Sequence, residues 1–242
     1  MPETVDFKNR LRDEVSGVVG ALTRIDTLCL SYFDSATGAL TDRVCVSVAS
    51  DDFVVDVGAK KLRLSKSFTY GGTATVNYNR IVVKSGTVTY FVTTVVEGTL
   101  SPGASVNVVW ELTLSGSVSS TGVFTSGSVD SMIAMILRAL AGQRGAKDSL
   151  VISRFSYLDT GVSPVRVLLA LTPSVSVDGT KVRAVHDFVN FTSSGVLTEC
   201  WVLNDKRVGD ADSEAVLVRL VSPARQTVDS SMSIRHLLEL SF

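Results

Sequence analysis

The chain has 242 residues, of which 45% are apolar and 19% are charged, and its net charge is −1. This composition can bury a sizeable core and argues against disorder. The near-neutral charge gives no electrostatic case for nucleic-acid binding, but a local basic patch would suffice for it. The 39 valines, with abundant serine and threonine, favour β-structure.

Residues 7–24 place apolar side chains at spacings of three and four, which predicts a helix with Asp6 as its cap. Short β-like runs follow, and the later ones alternate clearly between apolar and polar residues. Ser85 and Gly86 predict a hairpin turn between two of these runs. The period of two predicts an antiparallel meander with one covered face. The predicted strands are 27–33, 43–48, 53–57, 61–69, 73–84, 87–96 and 105–114.

Residues 115–128 are rich in serine and glycine, which predicts a flexible loop. A strongly amphipathic helix is predicted to follow as far as Ala141, with Ser128 as its N-cap. Gly142 is predicted to end this helix, because glycine is favoured just after a helix C-terminus. The small and polar residues 143–147 form the best candidate for a linker between domains.

The second part of the chain repeats the first in the same order. Residues 62–64 match 165–167, the turn at 85–89 matches 194–198, and residues 105–112 match 213–220. The helix opened by Val129-Asp130-Ser131 matches 228–240, which begins Val228-Asp229-Ser230 and is predicted to be a helix as well. The common order predicts a tandem duplication, with a first repeat and an N-terminal helical extension over 1–146 and a second repeat over 147–242.

The predicted fold class is α+β: an antiparallel β-meander sheet with amphipathic helices packed on one face, duplicated in tandem. Long antiparallel strands, a valine-rich strand and an amphipathic helix, in that order, resemble the coat proteins of single-stranded RNA bacteriophages of the levivirus type. The residues that carry the resemblance are 73–96, 103–114 and 128–141, and again 180–203, 213–221 and 227–240.

The resemblance implies a single-chain coat dimer in which two subunits form one continuous sheet. Its helices would cover one face, and the opposite face would line an icosahedral shell and bind a hairpin of genomic RNA. Cationic and hydroxyl side chains on such a sheet suit phosphate and base-edge contacts. The predicted RNA-binding residues are Lys61, Arg63, Ser65, Asn77, Asn79, Thr89, Lys181 and Arg183.

The leading interpretation is therefore a non-enzymatic bacteriophage capsid protein. It is expected to self-assemble in many copies, package single-stranded RNA and reside in the virion after assembly in the host cytoplasm. We expect the protein to bind no cofactor, no metal, no membrane and no small-molecule substrate. The charged N-terminus has no apolar signal segment after it, and no run approaches the roughly 18 apolar residues of a membrane span.

Two other classes stay open. One is a β-rich binding module, such as a phage tail or baseplate protein or a jelly-roll lectin. The other is a hydrolase in which Cys200 and His186 form a nucleophile–base pair, although no third, orienting residue is evident. We expect His186 to be a core histidine and His236 to lie on the solvated face of the last helix. The odd number of cysteines and the lack of CxxC spacing predict free, buried thiols in a reducing compartment.

Overall fold

The computed structural model describes residues 3–18, 20–120, 123–124, 126–145, 148–179, 181–204 and 216–241. These residues form sixteen β-strands and two α-helices, and the strands make four antiparallel sheets. The predicted α+β class is wrong, because the described chain is mostly β and no sheet is a single covered meander. Neither described helix is long and apolar enough to cross a membrane.

The helices are α1 (Val5–Ser16) and α2 (Asp130–Ala141), with a short 3-10 helix at Ser50–Asp52. The first seven strands are β1 (Thr27–Asp34), β2 (Ala39–Ser47), β3 (Phe53–Asp56), β4 (Lys61–Thr69), β5 (Val76–Ser85), β6 (Val88–Leu100) and β7 (Ser105–Thr113). Two short strands precede α2, namely β8 (Ser117–Ser120) and β9 (Ser126–Ser128). The last seven are β10 (Arg154–Asp159), β11 (Arg166–Leu171), β12 (Ser174–Asp178), β13 (Lys181–Asn190), β14 (Gly195–Leu203), β15 (Val216–Val228) and β16 (Ser233–Ser241).

The chain divides into two compact units that are not continuous in sequence. The first unit comprises Met1–Arg10, Leu22–Leu114 and Leu137–Gln143. The second comprises Leu11–Ala21, Ser115–Ile136 and Arg144–Phe242. The predicted boundary between residues 146 and 147 lies outside the described residues.

The cap and the end of α2 agree with the prediction, whereas those of α1 do not. α1 begins at Val5, and its cap is Thr4 rather than Asp6, because the Phe7 N–H donates to Thr4 Oγ1 at 3.2 Å. α1 ends at Ser16, before Gly17 with a φ of 118°, so the predicted extension to residue 24 is wrong. α2 confirms the second predicted helix: Asp130 N–H donates to Ser128 Oγ at 3.2 Å, and Gly142 has a φ of 70°.

Two sheets face each other in the first unit, with strand orders β2-β1-β5-β6 and β3-β4-β7. The predicted alternation of β4 and β7 is confirmed, since their even-numbered apolar residues Leu62, Leu64, Val108, Trp110 and Leu112 are buried. Trp110 Nε1 on β7 donates to Thr93 Oγ1 on β6 at 3.2 Å, which ties the two sheets together. The predicted hairpin turn at Ser85-Gly86 is also confirmed, with a φ of 56° at Gly86.

The second unit also has two sheets, with strand orders β11-β10-β14-β15-β9 and β12-β13-β16-β8. The two short strands come from the segment that was predicted to be a flexible loop, so this prediction is wrong for β8 and β9. β8 pairs with β16, and β9 pairs with β15. The serine-rich segment is therefore tied by backbone hydrogen bonds at the edges of both sheets.

The last element of the chain is a strand, and the helix predicted over 228–240 is wrong. In β16 the side chains of Ile234, His236, Leu238 and Leu240 are buried and alternate with more exposed residues. The same stretch carries apolar residues at helical spacings, so its sequence fits both periods. β13 and β8 bond β16 from both sides, and this pairing selects the strand.

The same strand order occurs in both units, since β2-β1-β5-β6 with β3-β4-β7 matches β11-β10-β14-β15 with β12-β13-β16. A twelve-residue helix precedes each set of seven strands. Just before each helix the chain pairs with the sixth strand: Glu3 pairs with Phe91, and the three residues of β9 pair with Arg219–Val221. These correspondences differ from the predicted ones, which aligned residues of β4 with residues of β11. The origin of the two units by duplication stays a prediction.

Candidate functional site

Three of the predicted RNA-binding residues lie together on the first unit's three-stranded sheet. Lys61, Arg63 and Ser65 are exposed on one face of β4, between β3 and β7. Arg63 Nε lies 3.7 Å from Glu111 Oε1 on β7, and Lys61 is the cross-strand partner of Asp56 on β3. Carboxylates thus accompany both cations, and the face carries little net positive charge.

Asn77, Asn79 and Thr89 lie on the other sheet of the first unit. The Asn79 amide accepts from the Phe33 N–H at 2.8 Å and donates to the Phe33 carbonyl at 3.0 Å, so it extends the pairing of β1 with β5. Asn77 bonds Glu97 at 3.3 Å and Thr99 at 3.2 Å. The Thr89 carbonyl accepts from the Thr4 hydroxyl at 2.6 Å. These contacts give the three residues a part in holding the unit together.

Lys181 and Arg183 lie on β13 of the second unit and share one acceptor. Their distances to the Glu239 carboxylate on β16 are 3.3 Å and 2.7 Å, and Arg183 also pairs with Asp178. Hydrogen bonds from Arg183 and Lys181 hold the pKa of Glu239 below its ordinary value. The bond to Glu239 and the charge of Asp178 raise the pKa of Arg183. Two cations face two carboxylates here, so this face too is nearly neutral.

Side chains that could take part in acid–base or nucleophilic chemistry are most concentrated in a hydrogen-bonded network of the second unit, which consists of Ser120, His236, Tyr157 and His186. His186 on β13 and His236 on β16 are direct cross-strand partners, and both bond Tyr157 on β10 of the facing sheet. The distances from Tyr157 Oη are 2.5 Å to His186 Nε2 and 2.8 Å to His236 Nδ1. His236 Nε2 lies 2.6 Å from Ser120 Oγ on β8, which completes the network.

The hydrogen-bond partners determine which atom carries each proton in this network. His186 Nδ1 lies 2.7 Å from the Asp187 carbonyl, which can only accept, so Nδ1 carries the proton of the neutral ring. His186 Nε2 then accepts from the Tyr157 hydroxyl, and Tyr157 Oη accepts from His236 Nδ1–H. His236 Nε2 is left to accept from the Ser120 hydroxyl. Every bond therefore runs in one direction, from Ser120 to the Asp187 carbonyl.

Burial keeps the side chains of this network in their neutral forms. It lowers the pKa of His236 to about 4, with the neighbouring His186 as a second cause. Burial also lowers the pKa of His186, against the opposing effect of the Asp187 carbonyl. Burial, followed by the adjacent Cys200 thiol, raises the pKa of Tyr157, and burial raises the pKa of Cys200. The environment penalises each charge, because desolvation disfavours the ionised form.

Ser120 and His236 have the contact of a nucleophile and its base, but the base is weak. A catalytic histidine must take a proton near neutral pH, and a carboxylate usually steadies the resulting imidazolium. His236 instead has a pKa of about 4, and its other nitrogen faces a phenol. Both ring nitrogens of His186 bond other partners, Tyr157 and the Asp187 carbonyl, so the fully buried Cys200 thiol is not paired with this ring. The network of Ser120, His236, Tyr157 and His186 thus suits a structural link between two sheets.

Two of the three cysteines form a disulfide, so the expectation of three free thiols is wrong. Cys29 on β1 and Cys45 on β2 are cross-strand partners with a Cα–Cα distance of 4.1 Å. Asp42 lies within 4.8 Å of both sulfurs, but the disulfide occupies the sulfurs that a metal ion would need. Cys200 is free and buried, as predicted.

An apolar cavity of about 270 Å³ lies beside the Tyr157 network in the second unit. Phe191 lines it and also packs against the Tyr157 ring, with ring centroids 6.2 Å apart. The other lining residues are Val123, Leu197, Gln226, Val228, Met232, Ser233 and Ile234. Its volume is just below the range of roughly 300–1,000 Å³ that is typical of small-molecule pockets.

Comparison of this chain with protein-family models, with curated proteins and with solved structures finds no match. The candidate sites therefore depend on geometry alone. Sequence reasoning missed Tyr157, which no short motif marks, and placed His236 on a helix surface. The available signal was the alternation of Ile234, His236, Leu238 and Leu240, which puts the histidine among inward-facing residues.

Proposed function

We propose that this protein is a non-enzymatic coat protein of a virus particle, which self-assembles in many copies and encloses single-stranded RNA. The observation that carries the proposal is a recurrence along the chain: a helix is followed by seven strands twice, and both sets of strands have the same sheet order. Two similar units give one chain two similar sets of surfaces. Such a chain suits a closed symmetric assembly, in which like surfaces meet repeatedly.

The Cys29–Cys45 disulfide supports a location outside the reducing cell. Disulfides persist on secreted proteins and on virion surfaces, whereas cytosolic reductants keep thiols reduced. A particle assembled in the host cytoplasm and then released meets an oxidising environment. Because the two sulfurs are already opposite each other on β1 and β2, the bond can form there without rearrangement of the hairpin.

For the RNA cargo, the support is the exposed row of Lys61, Arg63 and Ser65 on β4. The continuous sheet of a levivirus-type dimer does not underlie this row, because each unit has two separate sheets. With carboxylates beside the cations, contacts to phosphates would be few. The salt dependence of RNA binding grows with the number of phosphate contacts. Because these contacts would be few, we expect salt to weaken RNA retention only modestly.

The direct test is the size and content of the purified protein. We expect a void-volume peak in size-exclusion chromatography, excess absorbance at 260 nm and uniform particles by negative-stain electron microscopy. Nuclease treatment of disrupted particles should identify the nucleic acid as RNA. A monomer of 25.8 kDa without nucleic acid would contradict the proposal.

A β-rich binding module is the second candidate, and one observation favours it. Each unit pairs two β-sheets around a core, and the second unit has the apolar cavity beside Phe191. Ligand pockets are typically concave and mostly apolar, with few polar groups. A thermal-shift screen of small apolar ligands and glycans separates the candidates, since a binding module gains stability from its ligand whereas a coat protein does not.

A further inference from the structure

One sheet edge of the first unit is open where the matching edge of the second unit is covered. β7 is hydrogen-bonded to β4 alone among the described strands and ends its sheet. Its counterpart β16 is bonded to β13 on one side and to β8 on the other. β8 covers Leu238–Ser241 in antiparallel pairing, so the fold itself shows what this edge accepts.

The register of β7 identifies the backbone groups at the open edge. Leu114 N–H donates to the Lys60 carbonyl at 3.1 Å and Tyr70 N–H to the Ala104 carbonyl at 2.8 Å. Because antiparallel pairs alternate, the even-numbered residues of β7 bond β4 and the odd-numbered ones point away from it. The side chains of the same odd-numbered residues are exposed. They are Ser105, Asn107, Val109, Glu111 and Thr113.

Apart from one charged residue, Glu111, this edge lacks the features that usually prevent strands from pairing with other chains. Natural edges are blunted by lysine, proline, bulges or short length. β7 is nine residues long, and its sequence Ser-Val-Asn-Val-Val-Trp-Glu-Leu-Thr contains neither lysine nor proline. Its pairing with β4 runs over all nine residues without a register shift. A regular, unprotected edge is a template for strand addition.

We propose that β7 pairs with β7 of a second copy of this chain, antiparallel and about a two-fold axis at Val109. The inference rests on the proposed function, of which it specifies one interface. In this register Val109 lies opposite Val109 of the second copy. Asn107 lies opposite Glu111, and Ser105 lies opposite Thr113. The two three-stranded sheets become one sheet of six strands.

The side chains of β7 are complementary to themselves in this register. The two valines, each 44% exposed, cover each other at the axis. The Asn107 amide can donate to the Glu111 carboxylate of the second copy, and the hydroxyls of Ser105 and Thr113 meet at the ends. No two like charges are opposed, and the outward N–H and C=O groups of all five odd-numbered residues find partners.

A single strand pair buries less than the about 800 Å² per partner of a typical stable interface. We therefore expect a weak, reversible dimer when this contact acts alone. In a particle the same contact is repeated many times, and the effective concentration of neighbouring copies strengthens it without new interactions. Reversibility suits assembly, because a misplaced copy can dissociate.

The experiment uses the full chain with Val109→Lys, which places two lysines opposite each other at the axis. Val54→Lys is the matched control, because Val54 is also an exposed valine of this sheet but lies on β3, at the opposite edge from β7. Circular dichroism and thermal melting establish that both variants fold. Analytical ultracentrifugation then measures association. We expect Val109→Lys to weaken dimerisation by about tenfold or more and Val54→Lys to leave it unchanged.

A mixture of Val109→Lys and Val109→Glu chains should restore association, because opposite charges then meet at the axis. If Val109→Lys associates as the wild type does, the β7 interface is wrong while the coat proposal stands. If the wild type forms β7-dependent dimers but no larger particles, the interface stands and the coat proposal is wrong. A wild-type chain that stays monomeric at all concentrations contradicts both.

Discussion

His186 and His236 lie directly opposite each other on β13 and β16, and one tyrosine hydroxyl bonds both rings. They are the only two histidines of the chain. The arrangement is stable while both rings are neutral, because like charges directly opposite each other on neighbouring strands repel. Protonation would also break the order of donors and acceptors from Ser120 to the Asp187 carbonyl. The pair therefore makes the second unit sensitive to acid.

The second unit should lose stability as the pH falls from 6.5 towards 4. His236 has an ordinary pKa of 6.5 and a pKa of about 4 in the folded chain, so the unfolded state binds the proton first. The contribution is fully present above pH 6.5 and is lost as the pH approaches 4. We expect a loss of about 3 kcal/mol from this group. Urea unfolding followed by the fluorescence of Trp201, in a Trp110→Phe background, measures it.

The first unit provides the control for this acid effect. Both histidines belong to the second unit, and Trp110 belongs to the first. Trp110 fluorescence in a Trp201→Phe background should therefore report nearly constant stability between pH 6.5 and about 5, where no histidine of that unit titrates. Equal losses in the two units over this range would mean that His236 is not the cause.

Tyr157→Phe should destabilise the second unit by about 2–6 kcal/mol at pH 7. The substitution keeps the ring, which packs against Phe124, Phe155 and Phe191, but removes the hydroxyl that bonds both histidines. Two buried ring nitrogens then lose a partner, and each costs about 1–3 kcal/mol when unsatisfied. Urea unfolding at pH 7 measures the change. Tyr32→Phe, on a partly exposed residue of β1, is the control and should have little effect.

Reduction of the Cys29–Cys45 disulfide should destabilise the first unit by about 3 kcal/mol. The bond closes a loop with a sequence separation of 16, and closing such a loop removes conformational freedom from the unfolded chain. The Cys29→Ala, Cys45→Ala double variant and the reduced wild type should show similar losses in urea unfolding. In denaturant without reductant, a thiol reagent should label Cys200 alone. Labelling of all three cysteines would show that the disulfide does not form.

Gly127→Ala should destabilise the second unit by about 1–3 kcal/mol, because a Cβ would overpack its surroundings. That atom would lie 2.6 Å from Leu220 Cδ2 and 2.7 Å from Val118 Cγ1, so these two side chains would have to shift. Gly71→Ala is the control, since nothing lies within 4 Å of its Cβ position. Thermal melting compares the two variants. Equal melting temperatures would argue against the close approach at Gly127.

The sequence by itself determined the elements whose periodicity allows one solution. The alternation in 61–69 and 105–113 admits only strands, and both are strands in which the predicted apolar residues are buried, except for the half-buried Phe68 and Val106. The helix at 130–141 has a continuous apolar face, a serine cap and a terminal glycine, which all agree. The hairpin at Ser85-Gly86 follows from local turn chemistry, because glycine accepts the positive φ found there.

Tertiary structure decided the rest, because those residues depend on partners that are distant in sequence. Residues 233–241 fit a helix or a strand, and pairing with β13 and β8 made them a strand. The same pairing brought His236 opposite His186, and the facing sheet supplied Tyr157. Cys29 and Cys45 meet because the β1–β2 register places them opposite each other, which their spacing alone does not specify. Local propensity fixes single elements, but strand register is set by long-range contacts that one sequence does not display.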